Sequence, residues 1–197
     1  MLHSLLNGFD IYKPSLLTVD GVMVVLFYFT VYSFLGWLLE NSYNYLKKGV
    51  FLKPNFFLGP FKPMYGFAPL LLIYLIGKDM HWSLVLLLCF LIPTLVEYGS
   101  GLLLEKSFGR KWWDYSDQPF QIQGHICLTF SVYWVLLTLY SLTYIHPAIV
   151  AMYNMIAPVW VLIWPTVALY LLGEFIFAVK RHLPQAVIDG ESTKLIE

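Results

Sequence analysis

The chain has 197 residues, of which 59% are apolar, 18% aromatic and only 12% charged, about half the charged fraction of an ordinary soluble domain. Twelve lysines and arginines balance twelve aspartates and glutamates, so there is no global basic field to attract nucleic acid. Cys89 and Cys127 both lie within apolar runs, which excludes a secreted disulfide scaffold, and the composition points to an all-α, polytopic transmembrane helix bundle.

A helix needs roughly 20 mostly apolar residues to cross the hydrocarbon, because lipid offers no partners for backbone N–H and C=O groups. Residues 1–20 form an amino-terminal segment outside the membrane. His3, Asp10, Lys13 and Pro14 interrupt it, without the basic start, apolar stretch and small-residue cleavage site of a signal peptide. The transmembrane domain is 21–179. Its first span, 21–43, is free of charge until Glu40. A second, 63–77, is short and lies between Lys62 and Lys78. The third, 80–104, is interrupted only by Glu97. From Gln118 to Gly173 there is no formal charge, so this run holds two spans. His146-Pro147 divides them into 125–145 and 149–178, since proline removes a backbone donor and biases its predecessor away from helix. Residues 180–197 form a tail.

Five spans put Lys47, Lys48, Lys53, Lys62, Lys106, Arg110, Lys111, Lys180, Arg181 and Lys194 on one side and only Lys13 and Lys78 on the other. The positive-inside rule then predicts an amino end outside and a cytoplasmic carboxyl end, in the cell membrane. Trp112, Trp113 and Tyr115, beside basic residues, suit the headgroup layer as interface anchors.

With this orientation Glu40, Glu97 and Glu174 share the inner-leaflet half, near His125 at the start of the fourth span and Asp114 in the preceding loop. Glu97 reads as a ligand for a cationic group, a proton carrier or a lipid-headgroup site, against a purely structural interhelical hydrogen bond. Glu40 can instead snorkel and pair with Lys47 or Lys48, and Lys180 and Arg181 can draw Glu174 toward water. His125 also reads as a satisfied interfacial histidine. Gly36 with Glu40, Pro93 with Glu97, and Glu97 with Gly101 are each four apart, so each pair shares a helix face; small residues there predict close approach of a neighbouring helix. Pro93 frees the carbonyl of Cys89. The first and third spans end alike, Gly36-Trp37-Leu38-Leu39-Glu40-Asn41-Ser42 against Gly101-Leu102-Leu103-Leu104-Glu105-Lys106-Ser107, as a parallel repeat would. The breaker-rich Gly59 to Gly66 stretch reads either as a re-entrant segment or as a plain turn.

The chain has no P-loop, nucleophile elbow, zincin pair or paired-cysteine metal spacing, so no cofactor or metal is expected and any ATPase is a separate subunit. The runs Glu97-Tyr98-Gly99-Ser100-Gly101-Leu102-Leu103-Leu104, Trp113-Asp114-Tyr115-Ser116 and Gly124-His125-Ile126-Cys127-Leu128 resemble the CmpB-type ABC-transporter permease family of bacteria. Gly36-Trp37 through Glu40 and Gly59-Pro60 through Gly66 resemble that family's earlier motifs, and vertebrate multi-pass proteins look similar across the same core. Carried over by position, the resemblance implies that Glu40, Glu97, Trp113, Asp114, Tyr115 and His125 are the residues of interest; Glu174 rests on hydropathy alone.

The leading expectation is a permease-type subunit that binds or passes a small or lipid-like substrate at an inner-leaflet cavity lined by Glu40, Glu97 and His125. The 105–124 loop closes the cavity, and Lys106, Arg110 and Lys111 dock an ATPase. Membrane lipid and a second copy of the chain are further expected partners. Two alternatives remain: an embedded enzyme using His125, Asp114 or Glu97 as acid or base on lipid headgroups, and a non-catalytic membrane scaffold.

Overall fold

A computed structural model describes the backbone of residues 13–194 and the side chains of 13–183. Most of the amino-terminal segment, the side chains beyond Leu183, that of Lys194 among them, and residues 195–197 lie outside the described residues. Helix accounts for 74% of the structure. The helices are α1 (Val19–Lys48), α2 (Pro63–Leu75), α3 (Trp82–Phe108), α4 (Leu128–Tyr140) and α5 (His146–Lys194), with a five-residue π segment, Ser141–Ile145, joining the last two. One small antiparallel pair, β1 (Gln121–Ile122) and β2 (Ile126–Cys127), sets Gln121 opposite Cys127. Two-residue strands are too short to leave an alternating pattern, so the sequence does not announce them.

Local chemistry sets the helix ends. Thr18 caps α1 by accepting from the Gly21 N–H at 3.2 Å, Asp20 lies in its first turn, and Lys47 and Lys48 lie in its last, where acid and base respectively complement the helix dipole. Gly49 and Gly109 end α1 and α3 in the left-handed region, where a glycine meets no Cβ penalty. α1 buries Met23, Phe27, Tyr28 and Tyr32 against Leu72 and Ile73 of α2 and Val85 and Cys89 of α3. Between membrane helices lipid removes most of the hydrophobic drive, so close approach matters more. A Cβ at Gly36 would meet the Tyr65 side chain, and one at Gly66 would meet Phe29 and Ser33. The small-residue face read from Gly36 is therefore a packing face.

Three helical runs, Val19–Lys48, Trp82–Phe108 and Leu128–Leu183, are long and apolar enough to cross a membrane. α2 is not: 13 residues rise only about 20 Å, against about 30 Å of hydrocarbon. The extended stretch before it explains the shortfall. Residues 50–62 run back alongside α1, held where Asn41 Oδ1 accepts from the Lys53 N–H (2.8 Å) and the Lys62 N–H donates to Ser33 O (3.0 Å). α2 thus starts level with the middle of α1.

The expected turn at His146-Pro147 is absent, because the helix continues from Leu128 to Leu183. The ring of Pro147 clashes with the usual i−4 geometry, and the π segment immediately before it absorbs the misfit. A straight helix of 56 residues would be about 84 Å long. This run is not straight. Near its start Trp134 meets Glu97; in its middle Trp160 Nε1 donates to Met23 O (2.9 Å) at the opposite end of α1; and near its end the His182 ring lies 5.1 Å from that of Trp112, next to the Trp113 that donates to His125 O. The run goes out and comes back by bending, and its far point is at Trp160, between Pro158 and Pro165. Proline is an ordinary cause of such bends. His146 instead packs against Tyr28 and Tyr32.

Candidate functional site

Glu97 is 3% exposed, about three turns before the end of α3. Its Oε1 accepts from the Tyr115 hydroxyl at 3.0 Å and its Oε2 from Trp134 Nε1 at 2.8 Å. One donor comes from the loop after α3 and the other from α4, so the carboxylate ties three segments together. A buried carboxyl group without donors is costly, and the indole N–H can only donate. Burial, and then the nearby Glu97 charge, push the Tyr115 phenol far above its ordinary value, so it remains a donor. One turn earlier, Pro93 leaves Cys89 O without its helical partner. Thr138 Oγ1 stands 3.4 Å from that oxygen but donates more closely, at 2.7 Å, to Trp134 O.

Glu40 does not pair with Lys47 or Lys48. Those lysines lie about two turns further along α1, and the folded-back loop brings nearer cations: Lys62 Nζ at 2.6 Å and Lys53 Nζ at 3.0 Å, both on Oε2. Tyr65 lies within electrostatic reach of both Glu40 and Glu97, and its ring packs against Trp134 at 5.2 Å. Glu40, Tyr65, Glu97, Tyr115 and Trp134 thus form one polar core where α1, α2, α3 and α4 meet.

His125 stands apart from that core. It lies in the turn between β1 and β2, ahead of the helix, which begins at Leu128 rather than at 125. Its ring is 1% exposed and fills the space that a Cβ at Gly101 would take, with Trp113 beside it. Its Nε2 is 2.9 Å from Glu105 Oε2. The distance is that of an ion pair, but Nε2 makes no aligned hydrogen bond. Lys111 Nζ lies 3.8 Å from Glu105 Oε1 and donates to Gln123 O at 2.9 Å. Asp114 accepts from both the hydroxyl and the backbone N–H of Ser116, at 2.6 and 2.9 Å. These bonds hold its carboxyl below the usual carboxylate range. Asp114 also sits so close to Gly124 that a Cβ there would collide with it. It orders the loop.

Glu174 is not drawn toward Lys180 and Arg181. Its two oxygens accept from the backbone N–H of Leu58 (2.9 Å) and of Gly59 (3.1 and 3.2 Å), and Tyr170 donates to Oε1 at 2.9 Å. Non-helical backbone packed among apolar helices needs such partners. Asn55 adds another by donating to Phe61 O at 2.9 Å.

Two cavities flank the folded-back loop, and a third lies beside Gly36. The largest, about 470 Å³, is bounded by the loop from Lys53 to Lys62, by Phe29 of α1, Ser100 and Leu104 of α3, Trp112 and Trp113, and Leu171 and Phe175 of α5. The second, about 310 Å³, carries Lys53, Arg110 and Arg181 in its wall. The third, about 330 Å³, is apolar and touches Tyr65 and Trp134. Neither Glu40, Glu97 nor His125 lines any of these three. The groups bound to them do: Lys53 and Lys62 for Glu40, Trp134 for Glu97 and Trp113 for His125. The carboxylates stand one layer behind the cavity walls.

The sequence reading missed Tyr65, Trp134 and Glu105. Trp134 sits in an apolar helix with nothing to distinguish it. Glu105 was within reach, because the repeated helix ends align it with Glu40, and both acids are met by basic groups.

Three apolar helical runs long enough to cross a membrane, packed around a buried polar core, have the make-up of a membrane protein. Residues 27–179 match the family described as "Putative ABC-transporter type IV", and the chain belongs to that family. No curated protein and no solved structure matches it.

Proposed function

We propose that this chain is the membrane subunit of an ABC-type transporter, working with a separate ATPase, and that it takes an amphiphilic, lipid-like substrate into the cavity of about 470 Å³. The observation that carries this reading is the loop 50–62. Its non-helical backbone is held inside the bundle by Asn41, Asn55 and Glu174, and it lines the cavity. Membrane transporters place irregular backbone where a substrate is held, because elsewhere in lipid its cost is prohibitive. The cavity is almost wholly apolar apart from Lys53, Lys62, Asn55 and Ser100, as an acyl chain requires.

The chain crosses the cell membrane five times in this reading, with residues 1–20 outside and residues 180–197 in the cytoplasm. The out-and-back course of the Leu128–Leu183 run supports the last two crossings, and the clustering of basic residues supports the orientation. Glu40, Glu97 and Glu174 act on the substrate through the groups they hold, and Tyr115, Asp114 and His125 fix the 105–124 loop, whose Trp112 and Trp113 cover the cavity. On the cytoplasmic face Lys106, Arg110 and Lys111 are the docking cations for the ATPase, with Lys106 and Arg110 exposed.

Extraction of the full chain from its own membranes in mild detergent, followed by mass spectrometry of what stays bound, tests the reading. A stoichiometric ATPase and a retained amphiphile are expected, and Leu104→Trp, which fills the cavity, releases the amphiphile without releasing the ATPase. Absence of both partners from the wild-type chain overturns the proposal.

A further inference from the structure

The apolar cavity and the cationic pocket share Lys53, Pro54, Asn55, Phe57 and Trp112 in their walls. From this juxtaposition we infer that the substrate carries a phosphate-bearing anionic head, held by Lys53, Arg110 and Arg181, with its chain in the neighbouring cavity. The inference rests on the function proposed above and names the class of substrate.

Charge is the first argument. Among the described residues the pocket of about 310 Å³ has no carboxylate in its wall. Glu40 meets both Lys53 and Lys62 on a single oxygen, so that trio keeps one net positive charge. Arg181 has no ion pair with a described carboxylate. The Arg110 guanidinium lies 5.4 Å from the Trp112 ring centre, a cation–π contact that orients it without neutralising it. Lys53, Arg110 and Arg181 share the wall of one concave space, and the two guanidinium groups, with the charge left over from the Lys53–Glu40–Lys62 trio, give it a net positive charge that an anion balances.

Geometry is the second argument. Guanidinium groups present paired donors that match phosphate oxygens, which an ammonium group alone does not. The Trp37 and Trp112 rings in the same wall suit the boundary between headgroup and chain. Asn55, fixed by its bonds to Gly59 O and Phe61 O, stands where the two cavities meet. A zwitterionic head would bring its ammonium group into a wall that already carries three cations.

The test uses the purified full chain in lipid nanodiscs, with native mass spectrometry counting bound lipid. The probes are phosphatidate and phosphatidylcholine with identical chains, and inorganic phosphate. Phosphatidate is expected to bind at least about tenfold more tightly than phosphatidylcholine, the ratio that a single charge-assisted contact supplies. Arg110→Gln combined with Arg181→Gln abolishes the preference, and Arg181→Lys retains part of it. Lys47→Gln combined with Lys48→Gln, removing cations of the same face outside the pocket, leaves it intact. Equal binding of the two lipids overturns the inference, and so does loss of the preference in the Lys47/Lys48 variant, which would mark diffuse surface attraction. Inorganic phosphate binding as tightly as phosphatidate, and unaffected by Leu104→Trp, overturns the amphiphile in favour of a free phosphate compound. The same variant separates the two proposals: if Leu104→Trp keeps all its lipid, the cavity reading fails whatever the headgroup preference.

Discussion

Replacing Trp134 with Phe removes the only group among the described residues that bonds Glu97 Oε2 while keeping an aromatic ring against Tyr65. The bond is 2.8 Å long and buried at both ends. A hydrogen bond to a charged acceptor contributes about 1.5–3 kcal/mol, whereas bonds between membrane helices average about 0.6 kcal/mol. Trp134→Phe also loses ring volume, so the single variant cannot isolate the bond. A double-mutant cycle with Glu97→Leu, which leaves no acceptor, can, since the packing loss at Trp134 occurs in both arms and cancels. Equilibrium unfolding in mixed detergent micelles is the assay. The expected coupling is about 1.5–3 kcal/mol, and the single variant lowers the melting temperature by roughly 3–12 °C on the scale of a chain this size. A coupling at or below about 0.6 kcal/mol would refute the argument that Glu97 ties α3 to α4 through Trp134.

Gly36→Ala sets a methyl group against Tyr65 and costs about 1–3 kcal/mol by overpacking; unchanged thermal stability would mean that α1 and α2 have room to separate. Glu174→Gln weakens the hold on the Leu58 and Gly59 amides, and hydrogen exchange there accelerates about tenfold while α1 peptides are unaffected. Exchange at the wild-type rate would show the carboxylate to be dispensable to the loop. Ser116→Ala removes a donor that keeps Asp114 acidic, so Asp114 titrates at higher pH by NMR. Because the folded value is depressed, the contribution of Asp114 to the loop is present above the unfolded carboxylate range and fades as pH falls through the folded value. The variant shifts that fading upward, and a downward shift or none contradicts the assignment.

Much of the architecture was legible in the sequence. Apolar runs without charge dictate lipid-soluble helices, because only a helix satisfies its own backbone there. The four-residue spacing of Gly36 with Glu40 and of Glu97 with Gly101 marked faces that do pack closely, on Tyr65 and His125 respectively. Each of these signals is local, so a single sequence contains it.

The partners of the polar residues were not legible. Glu40 is met by Lys53 and Lys62 rather than by its neighbours on α1, and Glu97 by Tyr115 and Trp134. Glu174 is met by amides more than a hundred positions away in the chain. The reversal in the last apolar run falls near Trp160, although Pro147, Pro158 and Pro165 offer similar local reasons to bend. A buried carboxylate needs donors but is indifferent to which segment provides them. That choice is made by how helices and loops close upon one another, and hydropathy and periodicity, being sums over neighbouring residues, contain no record of it.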